Sequence, residues 1–167
     1  MTIALHQIST SVFKRTLGSL GAILDKADAW TQSRKIDPNA LLQARLAPDM
    51  FHLVRQVQAA TDQARGIARV AGIEPPKFDN VEASFADLKA RIGKTIQFLE
   101  SLTPSQIDGA EDKTITVPIG AQSQQVNGLD YVLRFITPNF YFHVTAAYAI
   151  LRHNGVDIGK RDFLGMR

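Results

Sequence analysis

Three polar side chains have types and spacings that could build a binding site inside a helical protein. Asn139 and His143 are four residues apart in an otherwise apolar run, so on a helix their side chains would be neighbours. His52 lies much earlier, one step from the apolar stripe of another helical segment. A buried polar group without a partner costs about 1–3 kcal/mol, and imidazole suits nickel, zinc, copper and iron. We therefore expect these three side chains to satisfy one another, to bind a small ligand or to bind a divalent metal.

Other familiar chemistries lack their residues in this sequence. The chain contains no cysteine, which excludes disulfides, iron–sulfur clusters, thiolate zinc and a cysteine nucleophile. It also has no phosphate loop, no dinucleotide glycine fingerprint, no zincin motif and no nucleophile elbow. His6 and His153 are expected to be ordinary surface or helix-end residues.

The bulk composition predicts one globular domain over residues 1–167, because 45% of the residues are hydrophobic and 21% are charged. The N-terminus lacks the order of charges and apolar residues typical of a signal peptide. The most apolar stretch, Leu129 to Leu151, is interrupted by charged and polar residues, which favours a buried helix over a membrane span. The net charge of +3 comes from scattered side chains, so we do not expect nucleic-acid binding. We expect a soluble, cytoplasmic protein.

Apolar residues at three- and four-residue steps predict an all-α fold with four long helices. Asp37 followed by Pro38 indicates a short additional helix that runs to about Ala44. Ser84 is expected to cap the third long helix, Asn127 to cap the fourth, and Gly72 to end the second. The predicted long helices cover about Thr2–Thr31, Pro48–Ala71, Ser84–Leu102 and Gly128–His153.

The pattern changes in the segment before the fourth helix. Residues 113–117 alternate like a strand, and residues 123–126 could pair back on them as a small hairpin. Pro118 and Gly120 are expected to break the first strand. In the fourth helix, Pro138 removes a backbone hydrogen bond and should produce a kink.

The fourth helix is apolar on nearly all sides, which is typical of a helix buried on several faces. In a protein with four long helices, this pattern suggests a subunit interface. We therefore predict a homodimer.

The order of these helices and several short motifs resemble the DinB/YfiT-like family of four-helix bundles. The segment Pro48-Asp49-Met50-Phe51-His52-Leu53 is similar to the one that carries the family's second-helix histidine. Leu151-Arg152-His153-Asn154-Gly155 follows His143 at the family's spacing between its last metal histidine and the helix end. The first histidine of the family's fourth-helix pair is replaced by Asn139, and we assign the chain to an uncharacterised branch.

The resemblance implies an up-down-down-up four-helix bundle and a degenerate metal site formed by His52, Asn139 and His143. An amide oxygen is a poor ligand for a soft divalent metal, so nickel, zinc or iron would be weakly bound or absent. Characterised relatives include metal-dependent, thiol-utilising transferases and isomerases, which makes an activity of that kind one hypothesis. The alternative is a non-catalytic dimeric module that binds a small molecule or a protein and uses the polar cluster structurally. Whether the chain is an enzyme stays open.

Overall fold

The computed structural model describes residues 4–119 and 122–166 of the chain. It is mostly helical, and its one described sheet has two antiparallel strands. The start of the first predicted helix at Thr2 and the predicted break at Gly120 lie outside the described residues. We label the long helices α1 (Thr10–Arg34), α2 (Leu53–Arg65), α3 (Phe85–Ser101) and α4 (Thr137–His153), and the strands β1 (Thr114–Ile119) and β2 (Gln122–Asn127).

The first predicted helix is split near its beginning. A short helix, Leu5–Ile8, ends at Ser9, where the backbone leaves helical geometry before α1 begins. The hydroxyl of Ser9 donates a hydrogen bond to the carbonyl of Leu5 at 2.6 Å. A side-chain bond of this kind competes with the helical backbone pattern, which accounts for the interruption.

The predicted start of the second helix at Pro48 is wrong. Residues 46–50 form turns and bends, and α2 begins only at Leu53, with His52 as its N-cap. The predicted end of this helical segment at Gly72 is confirmed. A 3₁₀ helix (Gly66–Ala71) follows α2 and stops at Gly72, whose φ is +71°. Glycine adopts this left-handed backbone without the steric cost that a Cβ brings.

The other predicted caps are confirmed. The backbone N–H of Asn39 donates to the Asp37 carboxylate at 2.9 Å, and a short helix covers Pro38–Leu42. Ser84 accepts from the backbone N–H of Asp87 at 3.1 Å at the start of α3. Because each cap satisfies a backbone donor that the helix leaves free, the local sequence determines where these helices begin.

The predicted hairpin is present and is longer than expected. β1 pairs with β2 from Thr114 opposite Asn127 to Ile119 opposite Gln122. Pro118 does not break β1 but lies within it, opposite Ser123. A two-stranded sheet has only edge strands, where a proline without an N–H is tolerated.

The fourth helical region runs from Gly128 to His153 in three consecutive pieces. Asn127 caps it, since its side chain accepts from a backbone N–H in the first turn. After this turn the chain forms a π-helical segment, Tyr131–Ile136, and then α4. Pro138 lies in the first turn of α4, directly after the π segment. The kink at Pro138 stays a prediction, and the irregularity that the structure describes is the π-helical turns before this proline.

Contacts between the long helices establish their relative directions. The rings of Phe13 and Phe140 lie 4.7 Å apart, and Trp30 lies beside Gly155, so α1 and α4 run parallel. α2 is antiparallel to α4, because the start of α2 contacts the middle of α4 while the segment after α2 contacts the π segment that precedes α4. Likewise, α3 is antiparallel to α1, with Lys89 paired to Asp25.

The buried core draws on all four long helices. It includes the fully buried side chains Phe13, Leu53, Leu88 and Phe140. The tail also contributes, since Val156 is fully buried. No helix within the described ranges is long and apolar enough to cross a membrane.

Candidate functional site

The side chain of His143 is held in one orientation by Gln56 across the contact between α4 and α2. The amide nitrogen of Gln56 donates to the carbonyl of Phe51 at 3.1 Å, which turns the amide oxygen towards the imidazole. Nδ1 of His143 lies 2.8 Å from this oxygen. Because a carbonyl oxygen can only accept, Nδ1 must carry the proton, and in the neutral ring Nε2 keeps the lone pair.

The neutral form of His143 is also favoured by its surroundings. Burial lowers its pKa, and the positive charge of Arg55 lowers it further, while the carboxylate of Asp62 opposes both. At neutral pH the ring therefore presents an unprotonated Nε2 that can accept a hydrogen bond or a proton.

Two exposed phenyl rings flank this imidazole. The Phe51 ring is stacked on His143 with 6.2 Å between ring centroids and 16° between planes. The Phe142 ring meets His143 edge-on at 5.4 Å. Their exposed fractions are 46% for Phe51 and 57% for Phe142, so the half-buried imidazole has an apolar border on the protein surface.

His52 has a different environment from the one predicted. Its Nδ1 accepts from the backbone N–H of Arg55 at 3.4 Å as the cap of α2. Burial and the charge of Arg45 lower its pKa, and a hydrogen bond from the ring to the backbone of Leu42 opposes them. The described hydrogen bond of the His52 ring is thus made to the backbone, and no described hydrogen bond joins His52 to His143.

Asn139 is exposed rather than buried, although its sequence neighbours on the predicted face are buried. Its side-chain amide donates to the carbonyl of Phe135, four residues earlier, at 2.7 Å. The buried stripe of α4 instead passes through Phe140 and Val144. The expectation of a buried polar group at Asn139 was therefore wrong, because the apolar stripe of α4 turns away from it.

A cleft continues from Asn139 along the contact between α2 and the π segment. It has a volume of about 410 Å³, which lies in the range of small-molecule sites. The hydroxyl of Tyr131 donates to the carbonyl of Gly66 at 3.3 Å and closes one side. A Cβ at position 66 would lie 2.9 Å from that hydroxyl, so the close contact between Tyr131 and this backbone favours glycine. The other lining residues are Asp62, Gln63, Arg69, Pro118, Phe135 and Ile136.

Asp62, on the wall of this cleft, is fixed by two buried arginines. Arg91 contacts one oxygen of Asp62 at 2.7 Å, and Arg65 contacts the same oxygen. Arg91 also pairs with Glu82 at 2.9 Å, and Phe78 lies over both guanidinium groups. Buried arginines require such partners, and this ionic cluster ties the loop between α2 and α3 to both helices.

The donor atoms do not fit a three-ligand metal site. Such a site needs three side chains whose lone pairs converge on one point, whereas His52 is engaged with the backbone and Asn139 offers an amide oxygen at the surface. Among residues 4–119 and 122–166, no group of three or more histidine, aspartate or glutamate side chains could hold a metal ion. Of the three predicted residues, His143 is the one whose imidazole is oriented by a buried side chain, with Gln56 at Nδ1.

Gln56 is the site residue that the sequence reasoning missed. It is 1% exposed and lies on the inner face of α2 among apolar residues. A polar residue inside an apolar stripe was the signal that could have identified it, as it did for His143.

Comparison with known proteins places this arrangement of helices among DinB-like domains. The chain is similar to a protein described as a DinB family member from Shewanella denitrificans, whose crystal structure superimposes with a TM-score of 0.89. The two sequences are 40% identical, and the match covers 96% of this chain and 92% of the other. The family model DUF1993, a domain of unknown function, matches residues 5–164, so the chain belongs to the DUF1993 family. No curated protein matches the chain.

Proposed function

We propose that this DUF1993 protein binds a small molecule between α2 and α4, with Nε2 of His143 as the acceptor of a hydrogen bond or a proton. The observation that carries the proposal is the Gln56 amide, whose contacts fix both the orientation and the tautomer of the imidazole. A second residue that orients a ring in this way is typical of functional histidines. The exposed phenyl rings and the neighbouring cleft supply space for a ligand.

The proposal is tested by protein-observed NMR with a library of small alcohols, phenols, amides and carboxylic acids. We expect hits to shift amide signals at the start of α2 and the middle of α4, and to lose affinity in His143→Gln. His153→Gln is the matched control, because His153 lies on the same helix, at its exposed end. Hits that bind elsewhere, or that bind His143→Gln as well as the unchanged protein, would contradict the proposal.

Metal-dependent, thiol-utilising chemistry stays a prediction from the family resemblance. A divalent metal would have to rest on His143, with Asn139 as a weak oxygen donor, because His52 would first have to give up its capping bond. Titration of untagged protein with nickel, zinc or iron tests this directly. A stoichiometric complex that is lost in His143→Gln would support it, and the absence of saturable binding would oppose it.

The non-catalytic alternative rests on the same bond between Gln56 and His143, used only for packing. It would give His143→Gln a loss of stability without any loss of ligand binding. The two hypotheses therefore differ in one measurement, the affinity of the variant for the fragments that bind the unchanged protein.

We also infer that α1–α4 form one domain, an up-down-down-up bundle. The support comes from the helix directions: α1 and α4 are parallel to each other and antiparallel to α2 and α3. Homodimer formation stays a proposal, supported by Leu129 and Leu133, which are 38% and 48% exposed one turn apart. Sedimentation equilibrium of the protein and of Leu133→Lys tests whether this apolar surface joins two copies.

A further inference from the structure

Arg55 lies beside the proposed site with part of its guanidinium group uncommitted. Its side chain is 36% exposed, and its described polar contacts, to Gln58 at 3.5 Å and to Asp62 at 3.8 Å, both use Nη1. Both contacts are at the long limit for such interactions. A guanidinium group has five N–H donors and binds a carboxylate through two of them at once. The group therefore retains donors for an anion.

The local charges also favour an anion. Asp62 is the carboxylate nearest to Arg55, and its other oxygen is already bonded by two buried arginines. Arg45 adds a second positive charge and is fixed by a hydrogen bond to the carbonyl of Met50. The positive end of the α2 dipole lies at the same place, because the helix begins at Leu53.

The apolar residues beside this positive charge define the rest of the ligand. The guanidinium carbon of Arg55 lies 5.3 Å from the centre of the Phe51 ring. Phe51 in turn stacks on His143, and Phe142 borders the imidazole on another side. A cation thus packs on one of the two exposed phenyl rings that contact the imidazole of His143.

From this juxtaposition we propose that the ligand is a small carboxylate joined to an apolar group, with its carboxylate bound by Arg55 and its apolar part between Phe51 and Phe142. This inference rests on the proposed function, since it names the class of molecule that the same site binds. A hydroxyl or amide on such a ligand would donate to Nε2 of His143.

The test uses three related probes in isothermal titration calorimetry and NMR. Phenylacetate carries both features, phenylacetamide lacks the charge, and acetate lacks the apolar group. We expect phenylacetate to bind about tenfold more tightly than phenylacetamide, as one charge-assisted hydrogen bond accounts for roughly that factor. It should also bind more tightly than acetate, because acetate has no phenyl ring to bury. Equal binding of phenylacetate and phenylacetamide would overturn the proposal.

Variants assign the two halves of the ligand to their residues. Arg55→Gln should reduce phenylacetate affinity about tenfold and leave phenylacetamide unchanged, whereas Arg55→Lys should keep part of the preference for the anion. Phe142→Ser should weaken phenylacetate and spare acetate. Arg134→Gln is the matched control, because Arg134 is 74% exposed on the preceding π segment and should have no effect. An equal loss in Arg134→Gln would show that only overall charge matters and would overturn the proposal.

Failure of this inference can be told apart from failure of the proposed function. If uncharged fragments bind beside His143 and are lost in His143→Gln, while carboxylates show no preference, the ligand class is wrong and the site stands. If neither class binds between α2 and α4, both proposals are overturned.

Discussion

Replacing Gln56 with leucine should release the imidazole of His143 from its fixed tautomer. The substitution keeps a buried side chain of similar size but removes the oxygen that accepts from Nδ1 and the nitrogen that donates to Phe51. Without an acceptor opposite Nδ1, the proton can move to Nε2. We therefore expect the variant to populate both tautomers at neutral pH, and the acceptor at Nε2 to be partly lost.

The expected loss of stability follows from these two hydrogen bonds. Gln56 is 1% exposed, so water replaces its bonds only in part. Each bond contributes about 1 kcal/mol, and the cost of leaving the two partner groups unpaired is offset by the apolar burial of the leucine, which leaves a net loss of about 2 kcal/mol. In a protein of this size, that corresponds to a decrease in Tm of about 4–8 °C.

Long-range ¹H–¹⁵N correlation spectra of the imidazole rings measure the tautomer, and urea unfolding measures the stability. His143→Gln assigns the signal among the four histidines of the chain. Gln58→Leu is the matched control, because Gln58 is also buried on α2 but its amide donates to Glu82 at 2.8 Å. It should lose stability without changing His143. If the unchanged protein already carries the His143 proton on Nε2, the reasoning about this site is refuted.

The pH dependence of stability should reflect the same imidazole. In the folded protein the pKa of His143 lies below the ordinary value of 6.5, first through burial and then through Arg55. The imidazole therefore binds a proton more readily in the unfolded chain than in the folded protein. The stability that the neutral ring contributes is complete above pH 6.5, and it is lost as the pH falls through the pKa of His143 in the folded protein. His52 acts in the same direction. Urea unfolding between pH 8 and pH 5 should show a decline that is smaller in His143→Gln, and equal slopes would contradict the assignment.

Two further substitutions test the packing that positions the site. Gly66→Ala should cost roughly 1–3 kcal/mol, because its Cβ would lie 2.9 Å from the Tyr131 hydroxyl. Gly18→Ala should stabilise α1 slightly, because a Cβ at that position would have no atom within 4 Å. Equal effects of the two substitutions in thermal unfolding would contradict the clash at Gly66. Arg91→Met should cost about 3–5 kcal/mol, since its side chain is 1% exposed and its removal leaves the largely buried carboxylate of Glu82 without an arginine partner. Arg134→Met, at an exposed ion pair, should change the unfolding free energy by less than about 1 kcal/mol, and a comparable loss there would refute the distinction.

Local signals in the sequence were sufficient for most of the helix boundaries. Asp37, Ser84 and Asn127 cap their helices as expected, because each side chain satisfies a backbone donor only two or three residues away. The start of α2 was misplaced at Pro48 for a related reason. A proline can occupy the first turn of a helix but does not require one, whereas the cap that actually begins α2 is a histidine, which is a rare N-cap residue.

The candidate site was only partly visible in the sequence. The periodicity of the fourth helix correctly identified His143 as a polar group near the core, since helical spacing is a local property. It also placed Asn139 on the same face, because the two residues are four positions apart. The helices packed against α4 determine which residues are buried, and the buried stripe includes Phe140 and Val144 instead.

Most of the helices, the caps at Asp37, Ser84 and Asn127, and the hairpin could be predicted from the sequence, because each depends on residues close together in the chain. The pairing of His143 with Gln56 could not be predicted, because it joins residues 87 positions apart. It depends on the relative position of two packed helices, which local periodicity does not specify.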